Sequence, residues 1–92
     1  MLKAKLRLRR EDGLHARPAA QLVALALKYP KLEIVLEKNG KEVNGKSLSA
    51  ILTLQGEMGD VIGFKVSGEG EEEFWENLEQ TIQGEVLEIE KN

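Results

Sequence analysis

The chain has 92 residues, of which 41% are apolar, no cysteine, and a formal net charge of −3. A chain of that size buries roughly 60–65% of its unfolded surface, enough for one modest core and too little for two domains. The missing thiols exclude a disulfide framework and a thiolate zinc site. The acidic balance argues against nucleic-acid binding, and no apolar run approaches the roughly 20 residues that span a bilayer. A strand starting at Leu2 leaves no signal peptide expected, and with the absence of cysteine the expected compartment is the cytoplasm.

Leu2, Ala4, Leu6 and Leu8 alternate with Lys3, Lys5, Arg7 and Arg9, the period of a half-buried strand. Glu11, Asp12 and Gly13 form a turn. Over 16–28 the pattern becomes helical, with Ala19, Leu22, Val23 and Ala26 on one face. Pro18 is tolerated only in the first turn, where its missing N–H costs nothing, and Tyr29-Pro30 stops the helix. A second strand over 32–37 runs into Asn39-Gly40, a strong two-residue hairpin signal, and a short return strand over Lys41–Asn44 with Val43 inward. Ser47 can cap a helix over 48–54. A loop over 56–60 leads to a strand over Val61–Ser67, with Ile62, Phe64 and Val66 inward. After a turn at 68–70, Glu71, Glu72 and Glu73 suit the positive end of a helix. Phe74, Leu78 and Ile82 continue that helix as an apolar face beside Trp75, and Gly84 ends it.

The order β-α-β-β-α-β-α predicts an α+β, two-layer open-faced sandwich: a four-stranded antiparallel sheet with three helices on one face. Residues 1–84 form the domain. The tail over 85–92 alternates Leu87 and Ile89 with charges, and either extends as a strand or frays.

The chain's only histidine, His15, stands in GLHARPAA, residues 13–20, at or next to the expected helix N-cap. Serine, threonine, aspartate or asparagine would cap better, so local stability does not call for histidine there. The backbone N–H groups of Ala16 and Arg17 are unpaired donors of a first helical turn and can face an anion. Arg17 adds a permanent charge with donors suited to phosphate. A positive helix end and Arg17 both disfavour imidazolium, which keeps the imidazole nucleophilic, and both stabilise a phosphate once attached. No second histidine or cysteine is available for a transition-metal site, so no metal is expected.

GLHARPAA, the element order and VNGKSLSAILTL over 43–54 together resemble HPr, the histidine-containing phosphocarrier family of the bacterial sugar phosphotransferase system. The resemblance covers roughly 2–84. It implies that His15 accepts a phosphoryl group through Nδ1 from phosphorylated enzyme I and passes it to IIA domains of sugar permeases. Arg17 would balance charge during transfer, with the backbone of Ala16 and Arg17 stabilising the phosphate, and Pro18 would shape the helix start. Ser47 matches the family's regulatory serine, a target of HPr kinase/phosphorylase that links the family to carbon catabolite regulation; an N-cap role explains the same residue. Leu48 and Leu52 match the apolar docking patch, which Leu14 extends, with core packing assigned instead to Ile51, Ala50 and Leu54. Ser49 lies on the same surface and stands where many kinase-regulated relatives carry a larger apolar residue. The resemblance implies no cofactor, no catalytic activity of the carrier alone, and partners in enzyme I, IIA domains and, in a regulatory role, a transcriptional regulator. A diffusing carrier that meets several partners weakly is expected to be a monomer.

Two other readings stand beside this one. Within the fold, the chain could be a nitrogen-type carrier or a regulatory paralogue, although a paralogue lacking the phosphorylatable histidine is disfavoured by His15. Outside it, the chain could be a small interaction module without chemistry. The basic residues of the first strand are more simply a solvated sheet face than a nucleic-acid site.

Overall fold

The computed structural model describes residues 2–8, 16–81 and 86–91, with the backbone alone for 16–18, 81 and 86–91. The elements are β1 (Leu2–Leu8), α1 (Ala16–Ala26), β2 (Glu33–Lys38), β3 (Lys41–Asn44), α2 (Leu48–Leu52), β4 (Val61–Ser67), α3 (Glu71–Thr81) and β5 (Val86–Lys91). The four expected strands make an antiparallel open sheet in the order β3-β2-β4-β1, and β5 adds a fifth strand beyond β1. The segment that the alternation of Leu87 and Ile89 left open as strand or frayed tail thus pairs as a strand.

Alternation decides which face of the sheet is covered. Ala4, Leu6 and Leu8 of β1, Ile34 and Leu36 of β2, and Ile62, Phe64 and Val66 of β4 are all buried. The pairings Leu6 with Ile62, Ala4 with Phe64 and Leu36 with Phe64 bring them into one layer. Ala19, Leu22, Leu25 and Ala26 of α1, Ile51 of α2, and Phe74, Trp75 and Leu78 of α3 complete the core. Each large side chain fully buried there contributes about 1.5–3 kcal/mol relative to exposure. Trp75 meets Phe64 edge-on with ring centroids 6.2 Å apart, and Tyr29 meets Phe74 likewise at 5.4 Å.

Element ends differ from expectation where local backbone bonding outweighs periodicity. α1 stops at Ala26, two residues short of 28, as Lys28 and Tyr29 donate to the carbonyls three residues back, of Leu25 and Ala26. Leu25, on the same helix face as Leu22 and Ala26, is core, whereas Leu27, just past the helix, is 60% exposed. Val23 is half-buried rather than central. α2 ends at Leu52 because Thr53 and Leu54 fold into a three-residue-back turn, which still buries Leu54. Ile82 and Gly84, expected to continue and end α3, lie outside the described residues. The Asn39-Gly40 hairpin is as expected: both residues have positive φ, 52° and 85°, the turn that matches strand twist.

Candidate functional site

Of the residues expected to carry chemistry, the described ones fall on the N-terminus of α1 and on α2 with its N-cap. Ala16, Arg17 and Pro18 are the first three residues of α1, so Pro18 does lie in the first turn and the N–H groups of Ala16 and Arg17 are first-turn donors. His15, which precedes Ala16 directly in sequence, lies outside the described residues, as does Leu14. α1 and α2 pack against each other in the helical layer, so the two sequence-predicted groups belong to neighbouring helices.

α2 begins at a built N-cap. Ser47 has extended backbone, φ −118° and ψ 112°, and its Oγ accepts the Ala50 N–H at 3.3 Å. Its carbonyl accepts the Ile51 N–H, which starts the helix. Ser49 Oγ lies 3.3 Å from Ser47 Oγ, so one of the two hydroxyls donates to the other. Upstream, Lys46 is held by its N–H to Asn44 Oδ1 and by its ammonium to the Tyr29 carbonyl at 2.8 Å. That tie joins the end of α1 to the entry of α2. Ser47→Ala is therefore expected to lower stability by about 1 kcal/mol, read by urea unfolding, because it removes a cap and nothing buried.

Burial separates core from solvent-facing side chains along α2. Ile51 is fully buried, and Leu54 is buried just beyond the helix, whereas Leu48 and Leu52 are each 38% exposed. Ala50 is half-buried and Ser49 is exposed. Two leucines four apart on one helix face thus stay partly exposed, outside the buried core.

One feature of this region left no local signal in the sequence. Lys38, at the end of β2, donates to the Gln55 carbonyl and pairs with Asp60 at 2.9 Å, clamping the 55–60 loop. The loop is also tied to β1, through the Leu8 N–H to the Asp60 carbonyl and the Gly59 N–H to the Leu8 carbonyl. Gln55 takes a positive φ of 52° to make the bend. The Glu57 N–H bonded to its carboxylate, and then Lys38, hold the Asp60 pKa below its ordinary value. A lowered carboxylate pKa stabilises the fold above the ordinary value, and that stability is lost as pH falls through the lowered one. Asp60→Asn is expected to cost about 1 kcal/mol at neutral pH. The difference from wild type should vanish in acid, as measured by thermal unfolding across pH.

The described residues contain no group of three or more acidic, histidine or cysteine side chains that could hold a metal ion. Among them, no helix is long and apolar enough to cross a membrane.

Residues 2–84 match the family model for the PTS HPr component phosphorylation site. The chain belongs to the HPr family. Its relatives include the HPr-like protein Crh of Bacillus subtilis, 37% identical over 94% of this chain and all of that one. The phosphocarrier protein HPr of Buchnera aphidicola is 41% identical over 85% of this chain and 91% of its own. Among solved structures, HPr of Bacillus anthracis superposes with a TM-score of 0.78 at 34% identity, covering 89% of this chain and 98% of that one. A crystal structure of Crh, a swapped dimer, gives a TM-score of 0.68 at 38% identity, over 89% of this chain and 93% of that one. The HPr architecture of four antiparallel strands and three helices is thus common to this chain and those structures, and β5 starts two residues past the matched region.

Proposed function

We propose that the chain is a phosphocarrier of the phosphoenolpyruvate-dependent phosphotransferase system, with His15 as the phosphoryl acceptor. The family match over 2–84, with HARP running from His15 into the first turn of α1, is the observation that supports this most. His15 Nδ1 attacks the phosphorus carried by enzyme I; the new P–N bond forms as the bond to the donor breaks. In the second transfer a IIA group takes the phosphoryl group and Nδ1 recovers its lone pair. Such transfer needs in-line positioning and charge neutralisation rather than covalent work by other residues. Arg17 and the first-turn N–H groups supply the positive field. The chain is on this reading a substrate of two enzymes and has no turnover of its own, requires no cofactor, and works in the cytoplasm beside the permeases. Residues 1–84 are the carrier unit.

Leu48 and Leu52, extended by Leu14 and flanked by Ser49, form the surface on which enzyme I and the IIA domains dock. The test is incubation with phosphoenolpyruvate and enzyme I. Acid-labile, base-stable phosphate that can be chased onto a IIA domain supports the reading, and no label on the folded protein overturns it in favour of an interaction module.

The relationship to Crh, described as the catabolite repression HPr of B. subtilis, favours a regulatory role alongside transfer. Ser47 is the residue proposed for it, as a target of HPr kinase/phosphorylase whose phosphorylated form meets a transcriptional regulator. Its hydroxyl stands at the start of α2, immediately before Leu48, so a phosphate there would put two negative charges at the edge of the docking patch. Ser47→Asp keeps a capping oxygen while adding charge. It is expected to slow phosphoryl transfer from enzyme I at least about tenfold through weaker docking, with stability within about 0.5 kcal/mol of wild type. An unchanged transfer rate rejects this regulation. The working state is a monomer, which light scattering across a concentration series tests against the dimer seen in Crh.

A further inference from the structure

The family match ends at residue 84, and β5 runs over Val86–Lys91 beyond it. β5 lies antiparallel along β1, which without it would be one edge of the sheet. A bare β1 would present a row of unpaired N–H and C=O groups, a template for any extended chain.

The residues of β1 decide what that edge accepts. Ala4, Leu6 and Leu8 are buried, and Lys3, Lys5 and Arg7 alternate with them on the other face. A second β1 laid antiparallel about Lys5 would set Lys5 against Lys5 and Lys3 against Arg7, and like charges directly opposite are destabilising. A strand with carboxylates at alternate positions reverses the sign. Leu87-Glu88-Ile89-Glu90 within β5 has that pattern, and the register sets Glu90 across from Lys5 and Ile89 across from Leu6. The register shifts between Leu6 and Leu8, interrupting the ladder near Arg7, and β5 packs chiefly on β1. A strand held along one side by an interrupted ladder opens more readily than β4, which has β1 and β2 on its two sides.

We propose that the outer edge of β1 is a strand-addition site selective for extended segments that alternate apolar and acidic residues. Residues 86–91 are its resident occupant, and when β5 opens the site takes a partner protein's segment of the same pattern. The site uses no residue of the 13–20 stretch, so it stands apart from phosphoryl transfer.

Hydrogen–deuterium exchange on the full chain tests it. In Glu88→Lys/Glu90→Lys, amides of β1 that face β5 should exchange at least about tenfold faster, while those of Ile51 and Val66 keep wild-type protection. A synthetic peptide of residues 85–91 should restore β1 protection in that variant, and the same peptide with both glutamates changed to lysine should not. Lys5→Glu added to Glu90→Lys should restore protection within the chain. Unchanged exchange in the double variant overturns the proposal. So does equal protection by both peptides, or β1 protection that returns with protein concentration alone, which would make a second copy the occupant. Should the double variant lose protection throughout, Glu90→Gln is the deciding case: a smaller rise confined to β1 supports the site, and no rise overturns it.

Discussion

His15→Ala is expected to abolish acid-labile phosphorylation by enzyme I and phosphoenolpyruvate without altering stability measurably. The chain offers no second imidazole, and a serine or carboxylate cannot form the same acid-labile P–N bond. Capping does not oppose the change, since histidine is not a favoured N-cap and little helix stability rests on it. Arg17→Ala should leave the acceptor in place and slow transfer by roughly 10²–10³, the usual loss when one charge-stabilising donor is removed from a transition state. Arg17→Lys should recover part of the rate, because it restores the charge but not the fork. Rapid-quench measurement with labelled phosphoenolpyruvate separates these cases. Labelling of His15→Ala would reject His15 as acceptor, and an unchanged rate in Arg17→Ala would reject the charge-balancing role.

The largest stability effect is expected at Trp75. Its side chain is 1% exposed, on the face of α3 that meets Phe64 of the central strand β4. Trp75→Ala should cost about 3–5 kcal/mol, the transfer of a large ring plus the cavity left behind. Against a typical total of about 5–15 kcal/mol, that leaves a marginal fold. Trp75→Phe, which keeps an aromatic edge for Phe64, should cost clearly less. Urea unfolding followed by circular dichroism gives both values. A cost under about 1 kcal/mol for Trp75→Ala would mean that the α3–sheet interface is not packed as described. In the wild type, the single tryptophan should report the same transition, its emission moving to the red as the ring enters water.

Trp75 also illustrates what periodicity can and cannot settle. Phe74 and Leu78 mark the apolar face of α3 by spacing alone, and the glutamates Glu71, Glu72 and Glu73 mark its start by charge. Trp75 follows Phe74 directly and is just as buried, because the layer of helices covers more than one narrow stripe. In α1 the same ambiguity falls on Leu25 and Leu27. Both are leucines two positions apart, which on a helix points them to opposite sides, and Leu25, three after the buried Leu22, is the one that turns inward. On α2 the division is sharper, since a five-residue helix has one inward face, which takes Ile51 and leaves Leu48 and Leu52 outside.

Local rules written into the chain determined the element order, the Asn39-Gly40 hairpin, the Ser47 cap, the entry of Pro18 into a first helical turn, and the GLHARPAA motif. Each of these depends on neighbours within a few residues, where backbone sterics and hydrogen-bonding reach operate. Only tertiary structure decided that β1 lies between β4 and β5, that Lys38 clamps Asp60 across 22 residues of sequence, and that Lys46 ties α2 to the end of α1. Those choices come from pairing edges and burying faces across the whole molecule. No window of the sequence contains both partners, so the alternation of 86–91 made a strand possible and the open edge of β1 made it pair.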